Sequence, residues 1–368
     1  MTPHAAEHEE KLERVRRVAH AAGVGGVLLA AHHNIAWLTS GRGNRVDASR
    51  ETGSARLLVA LDGRRFVLAN AIEMPRLLGE ELAGLDYTPV EYPWTDDQDP
   101  AFAVGEARRV SGAASLGADW PLSGTTALEP ALMRARAVLT EGEVERYRAL
   151  GLDAGAALGA VCRELAPGDV ELDVARRMTD AAARMGARAI VTLVGSDERL
   201  RRYRHPVATR TAWRDVVMLA LCAERDGLVV SLSRIVRAKT VADLDVRTRA
   251  TAAVFGRVLD ATRPGATGSS LYDTLAAAYA DVGFAGEELK HHQGGAIGYR
   301  AREWVAHPRS QEVVQPRQAF AWNPTITGTK VEDTALVLDG RAEIITSTPG
   351  WPTIALAGGL RAADIWQI

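Results

Sequence analysis

The spacing of apolar and polar positions divides the chain into two parts. Residues 8–22 (HEEKLERVRRVAHAA) carry apolar side chains at helical spacing, and Gly23 and Gly25 end that pattern. Val27–Ala31 is a continuous apolar run of strand length. Ala55–Leu61 and Phe66–Ala69 flank Asp62-Gly63, and Asp-Gly between two apolar runs predicts a hairpin. A helix near 71–82, a strand near 86–92 and a helix near 100–110 complete an α/β layer. From about residue 135 the tone changes. Glu141–Leu165 is a long amphipathic helix stopped by Pro167-Gly168, and Glu171–Gly186 is a second helix. Strand-rich stretches follow, with Asp-Gly turns at 226–227 and 339–340, and with helices over Ala242–Leu259 and Leu271–Gly283. A mostly antiparallel sheet with helices on one face, an α+β arrangement, is expected there. The boundary falls in 118–138, where DWPLSGTTALEP breaks the pattern, so the domains are expected at 1–134 and 135–368.

Composition narrows the function classes. A chain of 368 residues is long enough for two domains and needs no disulfide or metal staple to fold. With 44 basic and 46 acidic residues there is no basic excess to favour a nucleic-acid partner. The longest clean apolar run, Val216–Ala223, is far shorter than the roughly 20 residues that span a bilayer, so no membrane partner is expected. The opening, MTPHAAEHEEKLERV, is acidic and helical rather than signal-like. Cys162 and Cys222 are the only cysteines, and neither sits in a CxxC or Cys/His cluster. A reducing, cytoplasmic location and a small-molecule substrate are the expectation.

Four segments of the second part carry candidate chemistry. They are Tyr203-Arg204-His205-Pro206, the strand pair 216–236, His291–Gly298 (HHQGGAIG) and Ala321–Leu338 (AWNPTITGTKVEDTALVL). In order and spacing they resemble the active-site strands of the pita-bread fold family, which holds methionine aminopeptidase, aminopeptidase P, prolidase and creatinase. The resemblance covers about residues 140–345. It implies a pita-bread carboxy-terminal domain with a smaller α/β amino-terminal domain, and a homodimer.

The same resemblance shows where this chain departs. Peptidases of the family hold two metal ions with two Asp, one His and two Glu. Those positions here are Ala220, Ser231, Gly295, Asn323 and Glu332. A divalent transition ion needs several lone-pair donors at about 2.0–2.3 Å, and alanine and glycine side chains supply none. No metal and no other cofactor is therefore expected. His205 occupies the place of a substrate-side histidine that in creatinase, a metal-free member, is the general acid/base. An imidazole suits that work because its ordinary pKa near 6.5 lets it take and give a proton near neutrality. By resemblance His291 and Glu332 join it as catalytic groups. His292, Asn323, Arg302, Arg45 and Arg42 are the candidate substrate-binding residues. A guanidinium at 302 would grip a carboxylate in bidentate fashion, and Arg42 and Arg45 lie in a glycine-rich loop that in creatinase-like dimers reaches a partner's site. His292 should point away from His291, because side chains alternate along a strand. The missing imidazole at Gly295 should leave volume for substrate.

The leading expectation is a metal-independent enzyme that hydrolyses a guanidino, amidine or amide C–N bond in a small polar, carboxylate-bearing substrate. An elimination on the same acid/base parts is a second possibility. A binding protein that kept the fold and lost the chemistry, as in a histone-chaperone subunit, is a third. A dinuclear Xaa-Pro metallopeptidase fits the residues least.

Overall fold

The computed structural model describes residues 3–99 and 101–368, in two compact units, 1–142 and 143–368. The first unit is built on a six-stranded mixed sheet. Its strand order is Thr88–Tyr92, Arg65–Asn70, Thr52–Ala60, Gly26–Ala31, Gly117–Ala118 and Thr126–Ala127. The expected hairpin pairs Thr52–Ala60 with Arg65–Asn70, and Gly63 takes φ +95° in its turn. The first helix, Pro3–Ala21, starts earlier than its apolar pattern does. The helix expected near 71–82 is a short turn, Met74–Arg76, that widens into a π-helical turn over Leu77–Glu81. The helix expected from residue 100 runs Phe102–Ser111, and Pro100 lies outside the described residues.

A buried polar network ties this unit together. Arg136, fully buried, donates to Glu129 Oε1 at 2.8 Å and to Asn34 Oδ1 at 2.7 Å. Asn34 donates in turn to Glu129 Oε2 and to Asp119, which also receives the backbone N–H groups of Ala30 and Ala31. Burial alone would raise the Glu129 carboxyl, but the His33 hydrogen bond and the Arg136 charge outweigh it and hold the pKa at about 2. A carboxyl held low stabilises the fold above its unfolded pKa near 4.5, and that stability drains as pH falls toward 2. Glu129→Gln should therefore cost about 2 kcal/mol at pH 7, progressively less below pH 4.5 and little only near pH 2, read from urea unfolding across that range.

The second unit holds a five-stranded antiparallel sheet, ordered Trp304–Val305, Gly294–Ile297, Gln318–Trp322, Asp333–Leu338 and Arg341–Ile344. A four-stranded sheet runs Ile365–Gln367, Leu228–Arg237, Val216–Arg225 and Arg188–Ser196. Hydrogen bonds join the inner strand Leu228–Arg237 of one sheet to the inner strand Asp333–Leu338 of the other and the residue before it. Ser231 N donates to Thr334 Oγ1 at 2.8 Å, and Ser233 N donates to Glu332 O at 3.0 Å. Asp226-Gly227 makes the expected tight turn with φ of +52° and +76°, and Asp339-Gly340 repeats it at +49° and +74°.

Helices Glu141–Arg163, Glu171–Arg184, Leu244–Ala261 and Gly268–Asp281 belong to this unit's α layer. The first of them presents Gly151, Gly155 and Gly159 at four-residue intervals, one face of the helix. A β-carbon at Gly155 would stand 2.2 Å from Ser347 O, so only glycine permits the approach of the 345–348 backbone. Among the described residues no helix is long and apolar enough to cross a membrane.

Candidate active site

The site is assembled at the line where the two sheets of the second unit meet. Glu332 lies buried within it, 4% exposed. Glu332 Oε2 lies 2.8 Å from the Lys330 ammonium and accepts a short hydrogen bond from the Ser233 hydroxyl, while Oε1 lies 3.5 Å from Arg302. Burial would raise this carboxyl, yet the Lys330 and Arg302 charges hold it below the usual carboxylate range. It is therefore an ionised carboxylate clasped by two side-chain cations. Asp333, its neighbour, points to the other face and pairs with the buried Arg234 at 3.0 Å.

His205 sits in the loop between Glu198–Arg202 and Val216–Arg225, pinned on both sides. Arg204 donates to Glu287 and, at 2.9 Å, to Thr327 Oγ1. Pro206 is buried and packs directly over Gly195, where even a methyl group would overlap it. Glu287, which also receives Lys290 Nζ and Thr327 N, is held at about 2 by those donors against the opposing effect of burial. The loop is thereby fixed while the imidazole of His205 stays exposed.

His291 follows the short turn Glu287–Lys290, and its carbonyl accepts from the Gln293 side chain, itself bonded to Tyr279. The Nε2 atoms of His205 and His291 are 2.8 Å apart. Burial, then the Lys330 charge, pushes His291 down to about 2 and lowers His205 as well. Both rings are neutral at pH 7. Two neutral imidazoles share such a contact only when one donates Nε2–H and the other accepts on a bare Nε2.

The structure corrects two expectations. His292 does not point away: its ring stacks on His291 with centroids 4.5 Å apart, 5.8 Å from the ring of His205. The strand begins only at Gly294, which takes φ +108°, so the two histidines precede the regular alternation. Gly295 leaves no spare volume, since a β-carbon there would lie 2.2 Å from the Trp304 carbonyl oxygen. Arg42 donates to the carbonyls of Glu80 and Glu81 within the first unit, a local structural bond, and Arg45 is half-buried in the same segment.

Arg302 donates to Ser231 Oγ at 3.4 Å, and its buried Nε has no partner. The buried Oδ1 of Asn323 and Nδ1 of His291 are likewise unpaired. Each is a buried polar group without a partner in the structure. Sequence reasoning missed Lys330 and Ser233. Lys330 carried a signal, because residues two apart in an extended segment share a face, and Lys330 stands two before Glu332.

The positions of the family's ion ligands do not fit a pair of ions. Ala220 has no donor, the backbone of Trp304 closes the space at Gly295, and an ammonium already sits at hydrogen-bond distance on Glu332. Ser231 Oγ lies 3.0 Å from the Cys222 thiol, which burial pushes up and keeps protonated.

The class is a hydrolase-type pita-bread fold. The model of metallopeptidase family M24 matches residues 145–360, more than half of the chain, and the chain belongs to that family. It is similar to the dipeptidase PepE from Mycobacterium ulcerans (19% identity, 99% of each chain covered, TM-score 0.79). It is also similar to an Xaa-Pro dipeptidase from Bacillus anthracis (18%, 98% of this chain and 100% of that one, 0.77). A prolidase from Pyrococcus horikoshii OT3 follows (17%, 92% and 98%, 0.77). No curated protein matches the chain.

Proposed function

We propose that this M24 protein hydrolyses a C–N bond, in a guanidino, amidine or amide group of a small carboxylate-bearing substrate, without ions at the family's metal positions. The observation that carries the reading is the neutral His205–His291 pair, 2.8 Å between ring nitrogens, beside a glutamate whose charge is already balanced by Lys330 and Arg302. His205, exposed and neutral, takes a proton from water as its oxygen attacks the carbon. It returns that proton to the departing nitrogen. His291 orients the His205 ring. The unpaired Arg302 Nε donates to the substrate carboxylate, and the unpaired Asn323 Oδ1 accepts from a substrate N–H. His292, stacked on His291, stands beside them as a further contact.

The test is turnover by chain dialysed against EDTA, assayed on creatine-like, cyclic amidine and amide amino acids. Turnover is expected to survive dialysis undiminished. Loss with EDTA and return with Mn²⁺ would overturn the metal-free reading. Product masses separate hydrolysis, which adds the elements of water, from elimination, which does not.

A further inference from the structure

The reaction proposed above needs one imidazole to move a proton and a second to orient it. The structure gathers three. One ring nitrogen from each of His205, His291 and His292 lies within 4.8 Å of the other two. These nitrogens belong to two separate segments, residue 205 and residues 291–292, so sequence neighbourhood does not explain their convergence. His291 and His292 stack at 25° between planes, and His205 closes on His291 from the opposite segment. The second nitrogen of His291 is buried and unpaired.

Imidazoles that converge this closely come within a small adjustment of what a borderline-soft cation requires, with the His292 nitrogen closing in and the His205 ring opening out. Zinc binds histidine nitrogen at about 2.0–2.1 Å with near-tetrahedral angles, which sets the nitrogens roughly 3.3 Å apart. The His205–His291 spacing of 2.8 Å opens to that value by a small shift of the exposed ring. The donors are all nitrogen. The nearest carboxylate, Glu332, is committed to Lys330, Arg302 and Ser233. Such a set selects zinc, nickel, cobalt or copper over oxygen-seeking magnesium, calcium or manganese. Lys330 and Arg302 together bring one positive charge more than Glu332 offsets, and this weakens the site without removing its donors.

We propose that His205, His291 and His292 form a mononuclear site for one zinc-class ion, and that its occupancy switches off the proton transfer at His205. The donors are different from the positions at which the family's ions sit. The binding half of the proposal stands on geometry alone, and the switching half rests on the role of His205 proposed above.

Titration of EDTA-stripped, desalted chain with ZnCl₂ by calorimetry tests the site, with Co²⁺ absorption as the second readout. One zinc per chain is expected, with at least a tenfold loss of affinity in His292→Ala and in a His291→Ala/His292→Ala pair, and no heat with MnCl₂. Circular dichroism and thermal melts confirm that the variants fold; His292 is exposed, so its replacement leaves the core intact. Zinc binding that is absent, or equal in wild type and both variants, overturns the site. Stoichiometric zinc with turnover undiminished overturns the switch and leaves the site standing. If no substrate is turned over at all, the calorimetric result still decides the binding half.

Discussion

His205→Ala should lower turnover of any responsive substrate by about 10²–10⁴, the usual worth of a positioned acid/base group. The side chain is exposed, and its one hydrogen bond is to His291 Nε2, so the melting temperature should hold within the range of a surface substitution. The loss should fall on kcat more than on KM, because in the proposed reading the proton moves in the transition state and Arg302 and Asn323, not His205, hold the substrate. His205→Gln sharpens the result. A glutamine can accept or donate a hydrogen bond from nearly the same place but cannot shuttle a proton, so it should be as inactive as alanine. A glutamine variant with most of the wild-type rate would reduce His205 to a substrate contact. A binding protein on this fold predicts something else again: no turnover before or after the substitution, and every other property unchanged.

Local features of the sequence, and the joining of the four segments, carried over into the structure, but side-chain directions and space set by distant backbone did not. Asp226-Gly227 declares its hairpin because both residues tolerate left-handed backbone, and they adopt it. The four-residue glycine spacing in Glu141–Arg163 and the survival of Glu332 in Val-Glu-Asp-Thr are equally local signals. By contrast, the closure of space at Gly295 depends on where the Trp304 carbonyl lies across a strand pair, and nothing near residue 295 encodes it. The direction of His292 depends on the strand starting at Gly294 rather than at the histidines. Lys330 is the instructive case: its face was readable from period-two alternation, but reasoning by ligand positions passes over a residue that is not one of them.

Lys330 also explains how a buried glutamate persists here. A carboxylate 4% exposed with no counter-charge would be prohibitively destabilising or would take up a proton. An ammonium is a compact point charge, closer in shape to a metal ion than a planar guanidinium is, and it sits on Glu332 at 2.8 Å with its own side chain only 4% exposed. Glu332→Ala should then cost about 3–5 kcal/mol, because it strands the buried Lys330 charge and strips Arg302 of its carboxylate. Replacing both partners is a different experiment. Lys330→Met together with Glu332→Met removes the stranded ammonium as well as the carboxylate, so the pair should be more stable than Glu332→Ala alone, as apolar replacements of buried ion pairs often are. Urea unfolding of the second unit in the three proteins reads the difference directly. A Glu332→Ala cost below about 1 kcal/mol would show that water already screens the carboxylate. A double variant no better than the single would show that Glu332 draws its stability from Ser233 and Arg302, and not from the ammonium.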